Sequence, residues 1–165
     1  MKEIRIEKIT LNIGTGEPGI KLENAGHLLK KITGKKPIEC KSQKRIPTWG
    51  LRPGLAIATK VTIRKAPAVE LVKKLFKAVD NKISAKKFDD KGNFSFGVPE
   101  YIEIPGIEYD PKIGIIGLEV AVTLERPGYR VKKRKIKPGK ISKKHMITKE
   151  EAINFVKEKL GVEVI

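Results

Sequence analysis

The stretch Ile4-Arg-Ile-Glu-Lys-Ile-Thr-Leu-Asn-Ile13 alternates apolar and polar side chains and therefore predicts a β-strand. Its apolar face carries Ile9, Leu11 and Ile13. Its polar face carries Lys8, Thr10 and Asn12. A strand of this kind belongs to a sheet that is covered on one side only. The stretch thus predicts a sheet with helices on one face and a polar face open to a partner.

The rest of the chain repeats this pattern of strands and helices. Further strands are predicted over 56–64 and 118–124. The alternation that includes Ile102 and Ile104 predicts another strand, and residues 162–165 are predicted to form a short edge strand. Helices are predicted over 20–33, from a first turn that contains Pro67, and after Thr148, where Glu151 completes a capping box. Residues 35–56 are predicted to be irregular because prolines and glycines interrupt them.

We predict from these elements an α+β fold in which helices pack on one face of a mostly antiparallel twisted sheet. The length of 165 residues favours a single domain spanning residues 1–165. A basic insertion at residues 126–147 is punctuated by glycine and proline, and it is predicted to form a loop or hairpin extension. Because its charges repel one another, we expect it to become ordered only against a polyanion.

Charge is the most unusual property of the composition. The chain has 36 Lys and Arg against 19 Asp and Glu, which gives a net charge of +17. Residues 28–65 contain eleven basic residues and one acid, Glu39, and residues 126–145 contain ten basic residues and no acid. A protein surface that only faces solvent usually intersperses positive and negative side chains. These two basic runs therefore predict a polyanionic partner.

Membrane is the weaker candidate for that partner. No apolar run is long enough to span a bilayer, and the N-terminal residues read as a charged strand and not as a signal peptide. We therefore expect a cytoplasmic protein that binds RNA. Lys8, Thr10 and Asn12 would lie beside a second polar strand face if the two strands pair in register. That second face carries Lys60, Thr62 and Arg64.

Two motifs have alternative interpretations. The turn Gly14-Thr-Gly-Glu-Pro-Gly19 matches the dinucleotide-binding pattern, but the preceding strand has a polar face, so a structural turn is preferred. Phe94 and Phe96 resemble the stacking residues of RNA-recognition strands, but core packing is preferred. One cysteine and two histidines leave no metal cluster or catalytic arrangement, so we predict no enzyme activity, no metal and no cofactor.

Six motifs in one order resemble a single family over residues 3–125. They are Asn12-Ile-Gly14-Thr-Gly16-Glu17, Ile32-Thr-Gly34-Lys-Lys-Pro37, Gly50-Leu-Arg52-Pro-Gly54, Lys60-Val-Thr62-Ile-Arg64, Phe88-Asp-Asp-Lys-Gly92-Asn93-Phe94-Ser and Pro105-Gly-Ile-Glu-Tyr109-Asp110. The chain resembles the universal fifth protein of the large ribosomal subunit, whose members bind 5S rRNA. The basic segment at 126–147 and the lack of an extra N-terminal helical segment resemble archaeal members.

The resemblance implies a structural protein in the central protuberance of the large subunit. Asn12 and Thr62 match positions that touch 5S rRNA, whereas Lys35 stands where the family usually has Gln. Together with the polar sheet face, these positions give the full predicted 5S rRNA set, which is Lys8, Thr10, Asn12, Lys35, Lys60, Thr62 and Arg64.

The resemblance also implies two further surfaces. The loop 41–54 matches a segment that reaches toward P-site tRNA and a protein of the small-subunit head. Its candidate residues are Lys41, Lys44, Arg45, Trp49 and Arg52. Trp49 either anchors the loop by packing or stacks at its tip, and packing is preferred. The basic extension is expected to bind large-subunit rRNA through Arg130, Lys132, Lys133, Arg134, Lys135 and Lys137. Other large-subunit proteins are expected neighbours, and a free-standing RNA chaperone is the alternative function.

Overall fold

The computed structural model describes all 165 residues. The strands are β1 (Arg5–Gly14), β2 (Ile38–Lys41), β3 (Ala56–Arg64), β4 (Lys82–Ile83), β5 (Phe94–Val98), β6 (Leu118–Glu125) and β7 (Glu163–Val164). The helices are α1 (Ile20–Thr33), α2 (Ala66–Lys77), α3 (Arg130–Lys133) and α4 (Lys149–Phe155), and a π-helical turn over Val156–Leu160 continues α4.

Five strands form the main sheet, in the order β2-β3-β1-β6-β5. The sheet is mostly antiparallel, and β4 and β7 form a separate parallel pair. Buried and more exposed residues alternate along β1, β3, β5 and β6, as expected for a sheet covered on one face. The predicted α+β fold is confirmed.

The residues group into two compact units. The first unit comprises Met1–Ile9, Arg64–Phe96 and Ala121–Ile165. The second unit comprises Thr10–Ile63 and Gly97–Val120. The single-domain organisation inferred from chain length stays a prediction.

An aromatic cluster forms part of the core of the first unit. The ring of Phe76 in α2 stacks on Phe96 of β5 at a centroid distance of 4.6 Å and lies 6.0 Å from Phe94. Both β5 rings are buried, which confirms the prediction that they serve the core. The capping box at Thr148 is also confirmed, because its hydroxyl accepts from the Glu151 N–H while the Glu151 carboxylate accepts from the Thr148 N–H.

The second unit is organised around α1 and the strand segments that it covers. α1 ends at Gly34, which has a left-handed φ of 66° and donates its N–H to the Lys30 carbonyl, as predicted. α1 packs near β3 at Gly26, where a Cβ would make only ordinary contacts, at 3.6 Å with Pro37 and 4.0 Å with the Thr59 methyl group. Tyr101 is fully buried, and its hydroxyl accepts from the Asp110 N–H.

Two local predictions are wrong. Residues 35–56 contain β2, which pairs antiparallel with β3, because Ile38 to Lys41 can extend between the flanking turns. The strand predicted through Ile102 and Ile104 is a 3₁₀ turn over Tyr101–Glu103. Pro99, which has no N–H for a sheet hydrogen bond, follows the end of β5, and the Ile104 N–H turns back to the Tyr101 carbonyl.

Candidate RNA-binding surfaces

The polar face of the second unit is formed by neighbouring strands β1 and β3. Thr10 and Asn12 are half-buried, and Lys60 and Thr62 are exposed, whereas the residues that alternate with them are core. The predicted adjacency of the two polar strand faces is therefore confirmed, and their exact register stays a prediction. Hydroxyl, amide and ammonium groups stand together on this open face.

The only acid of the first basic run lies on the opposite face. Glu39 pairs across the sheet with buried Thr59, and Ile38 pairs with Lys60. Directly opposed residues point to the same side of a sheet, so Glu39 shares the helix-covered side and Ile38 shares the open side. The open face at Lys60 and Thr62 is thus free of that carboxylate, and it carries an apolar side chain, Ile38, that is 65% exposed.

Asn12 has a partner that the sequence did not suggest. Its amide Nδ2 donates to Oε2 of Glu119 on β6 at 3.2 Å. Glu119 is exposed and stands on the open face, since its neighbours Leu118 and Val120 are buried. A carboxylate therefore lies at one of the positions that the family resemblance assigns to RNA contact.

Lys35 lies in the connection between α1 and β2. Its side chain is exposed, and its backbone N–H donates to the Thr33 hydroxyl. Gly34 turns the chain just before it. Lys35 is therefore available to a phosphate, but it belongs to a loop and not to the polar strand faces.

The loop over 41–54 is a hairpin that extends β2 and β3. The Ser42 N–H donates to the Leu55 carbonyl at 2.8 Å, and Ile46 and Leu51 form an isolated antiparallel bridge. The hairpin carries four exposed cations, which are Lys41, Lys44, Arg45 and Arg52. None of them forms an ion pair with an acid of this chain.

Trp49 lies at the tip of this hairpin, in a 3₁₀ turn over Pro47–Trp49 that Gly50 terminates in a left-handed conformation. Its side chain is 73% exposed. The preferred interpretation, that Trp49 packs to anchor the loop, is therefore wrong. The backbone bridge between Ile46 and Leu51 organises the tip instead, which leaves the indole free.

In the first unit, two of the predicted RNA-binding cations are engaged by acids. Glu7 Oε1 accepts from Arg64 Nη1 at 2.9 Å and from Lys133 Nζ at 2.6 Å. Lys133 also donates to Glu125, which accepts from Arg5. Arg64 and Lys133 are thus partly neutralised within the fold. Lys8, in contrast, is half-buried on β1 and forms no ion pair.

The protonation of this network follows from its hydrogen bonds. Burial alone would raise the pKa of Glu7, but hydrogen bonds from Lys133 and Arg64 outweigh it and hold the pKa below its ordinary value. Burial opposes the charge of Lys133 too, and the hydrogen bonds that it donates to Glu7 and Glu125 raise its pKa above the ordinary value. Both groups are therefore ionised at neutral pH, and the network ties α3 to the ends of β1 and β6.

The basic extension is anchored at its base. Arg126 is buried and donates to Glu151 at 2.7 Å and to the carbonyl oxygens of His145 and Met146. The Tyr129 hydroxyl donates to the His145 carbonyl and accepts from the Ile147 N–H. These contacts join the first and last residues of the segment 126–147, which is a loop containing the short helix α3, in agreement with the predicted loop or hairpin. Its ordering in isolation stays a prediction.

The remaining cations of the extension point outward. Those predicted to bind rRNA that are exposed and form no ion pair are Arg130, Lys132, Arg134, Lys135 and Lys137. Arg134 is oriented by a hydrogen bond from its Nε to the Lys137 carbonyl at 2.6 Å. Lys137 has a left-handed φ of 49°, which reverses the chain before Pro138. The extension therefore presents these five predicted cations, without acidic partners, on a loop of defined shape.

Comparison with known proteins identifies the family. The family model described as ribosomal protein L5 matches residues 1–52, and the model for the C-terminus of the same ribosomal family matches residues 56–155. The chain belongs to the ribosomal protein L5 family.

Proteins named large ribosomal subunit protein uL5 are similar to this L5-family chain over its whole length. That of Nanoarchaeum equitans is 55% identical and is covered over 98% of its own length. Those of Sulfolobus acidocaldarius and Methanococcus maripaludis are 47% and 45% identical, each covered over 93% of its length. The expected resemblance to archaeal members is confirmed. None of the helices in this chain has the length and apolar character needed to cross a membrane.

The family is one of structural ribosomal proteins, so the chain is not an enzyme. The geometry of the glycine-rich turn agrees with this conclusion. The N–H groups of Thr15 and Gly16 both donate to the Ile57 carbonyl at 3.0 Å, so they are not free to hold a pyrophosphate. The turn at Gly14–Gly19 connects β1 to α1, and these two hydrogen bonds hold the turn against β3.

Sequence reasoning missed the acids that meet these cations. Glu7, Glu119 and Glu125 lie outside both basic runs, and each reaches its partner across strands. The alternation of β6 could have placed Glu119 and Glu125 on its open face. No sequence signal could have assigned them to Asn12 and Lys133, because those contacts join residues that are far apart in the chain.

Proposed function

We propose that this structural protein of the large ribosomal subunit binds 5S rRNA through the open sheet face of its second unit. The observation that carries the proposal is the alignment of polar side chains on two neighbouring strands above a buried core. The residues concerned are Thr10, Asn12, Lys60 and Thr62. The family resemblance assigns Asn12 and Thr62 to 5S rRNA contact, and both stand on this face.

The chemistry of the face suits recognition of folded RNA by its backbone. Lys60 supplies a charge for phosphate, whereas Thr10, Asn12 and Thr62 supply neutral donors and acceptors for ribose and base edges. Lys35 adds a cation from the neighbouring loop. Lys8 and Arg64 belong to the other unit, and Arg64 reaches RNA only in competition with Glu7.

The hairpin at 41–54 is proposed to contact P-site tRNA and a protein of the small-subunit head. The exposed indole of Trp49 and the cations Lys44, Arg45 and Arg52 support this proposal. An exposed aromatic ring can stack on an unpaired base, and unpaired cations can bind phosphates. The tip of the hairpin is therefore suited to a mobile RNA partner.

The extension at 126–147 is proposed to bind large-subunit rRNA through the five predicted cations that have no acidic partner. The protein is also proposed to contact other large-subunit proteins and to be located in cytoplasmic ribosomes. Fractionation of cell extracts tests the setting: the protein should sediment with large subunits. A wholly free pool would favour the alternative, a free-standing RNA chaperone.

Binding to a 5S rRNA transcript tests the central proposal. The double variant Asn12→Ala, Thr62→Ala should bind about tenfold or more weakly, since two neutral hydrogen bonds are removed. Asn154→Ala is the matched control, because Asn154 is an exposed amide on α4 and makes no side-chain hydrogen bond. Equal affinity of the double variant and the control would show that this face is not the docking surface.

Salt dependence provides an independent measurement on the same complex. The logarithm of the binding constant should fall linearly with the logarithm of salt concentration, with a slope of roughly 0.7–0.9 per phosphate contact. The double variant should keep the wild-type slope, because neither side chain carries a charge. A flat response of the wild-type protein would contradict the role given to the cations.

A further inference from the structure

An open cleft in the second unit has no Lys or Arg side chain in its lining. Its volume is about 430 Å³, and its lining combines one polar pair with three glycines: Asn12, Gly14, Gly97, Gly117 and Glu119. The remaining lining residues are apolar, so no Lys or Arg takes part. In a chain of net charge +17, this lining stands out because it has a carboxylate and an amide but no cation to pair with a phosphate.

Two of the glycines are not explained by the fold itself. Gly117 is required, because a Cβ there would lie 2.7 Å from the Pro99 carbonyl oxygen. A Cβ at Gly14 or Gly97 would meet nothing within 4 Å, and neither residue has a left-handed φ. Glycine within a strand costs about 0.5–1 kcal/mol relative to alanine and often marks the close approach of a ligand. The two glycines therefore leave room for something outside the chain.

The pairing of Asn12 with Glu119 fixes what the cleft presents. An ionised carboxylate can only accept hydrogen bonds, so the Asn12 amide directs its Nδ2 toward Glu119, at a distance of 3.2 Å from Oε2. The Asn12 Oδ1 is then directed away from the carboxylate, toward the other side of the amide. The second oxygen of Glu119 has no partner in the chain. The cleft thus offers an oriented carbonyl and a carboxylate, both acceptors.

We propose that this cleft binds a hydrogen-bond donor of an RNA nucleotide, either a ribose 2′-hydroxyl or a base N–H, and that Glu119 is the positioning residue that orients Asn12 for it. Phosphate is excluded because it has no donor and carries the same sign of charge as Glu119. Gly14 and Gly97 allow the nucleotide to approach the backbone. The inference rests on the proposed 5S rRNA binding and specifies which part of the nucleotide Asn12 contacts.

Reversal of the Asn12 amide tests the role of Glu119. In Glu119→Lys, the ammonium group donates to Asn12 Oδ1 and turns its Nδ2 outward. We expect about three- to tenfold weaker binding to 5S rRNA, although the net charge rises by two. Glu70→Lys adds the same charge on an exposed position of α2 and should bind equally or more tightly. Equal tightening by both variants would overturn the proposal.

Modified transcripts separate the two sources of the donor. Transcripts of 5S rRNA carry scattered 2′-deoxy residues, or inosine in place of some guanines. Those that bind the wild-type protein and those that bind Glu119→Ala are isolated, and the modified positions missing from each bound fraction are mapped. A 2′-deoxy position that impairs wild-type binding but not Glu119→Ala binding identifies a ribose hydroxyl, and an inosine position with this behaviour identifies the guanine N2 amino group. Identical interference maps for the two proteins would refute the positioning role.

Gly97→Ala tests the approach of the nucleotide without disturbing the fold. Its thermal midpoint should be equal to or above that of the wild type, since space is free and the backbone is ordinary. Its 5S rRNA affinity should nevertheless fall several-fold, and unchanged affinity would count against the cleft. If the wild-type protein itself does not bind 5S rRNA, the proposed function fails. If the wild type binds and these variants bind alike, only the cleft proposal fails.

Discussion

The two basic runs look alike in the sequence but differ in how their charges are used. In the run over 28–65, the single acid, Glu39, lies on the helix-covered side, and the hairpin cations have no acidic partner. In the run over 126–145, Arg126 is buried against Glu151, and Lys133 is shared by Glu7 and Glu125. Part of the second run therefore holds the extension to the fold, and only the rest is free for RNA.

The difference shows that a charge count along a segment does not give the charge of a surface. Acids that are distant in sequence reach the second run because β1 and β6 end beside it. The hairpin of the first run projects beyond the strands that could supply acids. Substitutions of equal charge should therefore change stability at the anchoring cations Arg126 and Lys133, and RNA binding at the unpaired hairpin cations.

The largest expected effect is on stability, from Arg126→Ala. Its side chain is 7% exposed and makes three hydrogen bonds, so the free energy of unfolding should fall by about 2–4 kcal/mol. Lys132→Ala, which removes an exposed cation of the same run, should change it by less than about 0.5 kcal/mol. Urea unfolding measures the free energy of unfolding of both variants. Equal losses would show that Arg126 does not stabilise the fold more than an exposed cation does.

The next effect is on RNA affinity, from removal of the hairpin cations. The triple variant Lys44→Ala, Arg45→Ala, Arg52→Ala should bind tRNA or rRNA fragments about 10- to 100-fold more weakly at low salt. Its salt dependence should also become shallower, with a slope reduced by roughly 0.7–0.9 for each phosphate that the variant no longer binds.

The matched control for the hairpin removes three exposed lysines of α2, Lys73, Lys74 and Lys77. It lowers the net charge by the same amount and should weaken binding only slightly. If the control weakens binding as much as the hairpin variant does, net charge and not the hairpin explains the affinity.

The smallest expected effect is a pH-dependent one, from Glu7→Gln. The pKa of Glu7 is lower in the folded than in the unfolded protein, so its ionised form stabilises the fold above the unfolded pKa, near 4.3. That contribution is lost as pH falls through the folded pKa. At pH 7 the variant should be less stable by about 1–2 kcal/mol.

Below both pKa values of Glu7, wild type and Glu7→Gln should unfold at the same urea concentration. Glu70→Gln, which alters an exposed carboxylate on α2, serves as the control and should match the wild type at every pH. A constant difference between Glu7→Gln and wild type across the pH range would show that the ion pairs with Arg64 and Lys133 do not cause it.

Elements with a strong periodicity were predictable. β1, α1, β3 and the capped α4 match the predicted segments because hydrophobic alternation and capping act within a few residues. The strand expected around Ile102 failed because Pro99 removes a donor, and β2 was missed because four residues among turns carry little periodicity. Of the candidate site, the polar faces of β1 and β3 were predictable, but the exposure of Trp49 was not.

The fold class and the excess of positive charge could be read from local pattern and composition, and the family from six motifs in one order. The sequence also determined which face of each main strand is polar. Which cations remain free depends on long-range packing, because Arg64, Arg126 and Lys133 meet carboxylates from other segments of the chain. The same holds for the contact of Asn12 with Glu119, since long-range packing sets it and no periodicity encodes it.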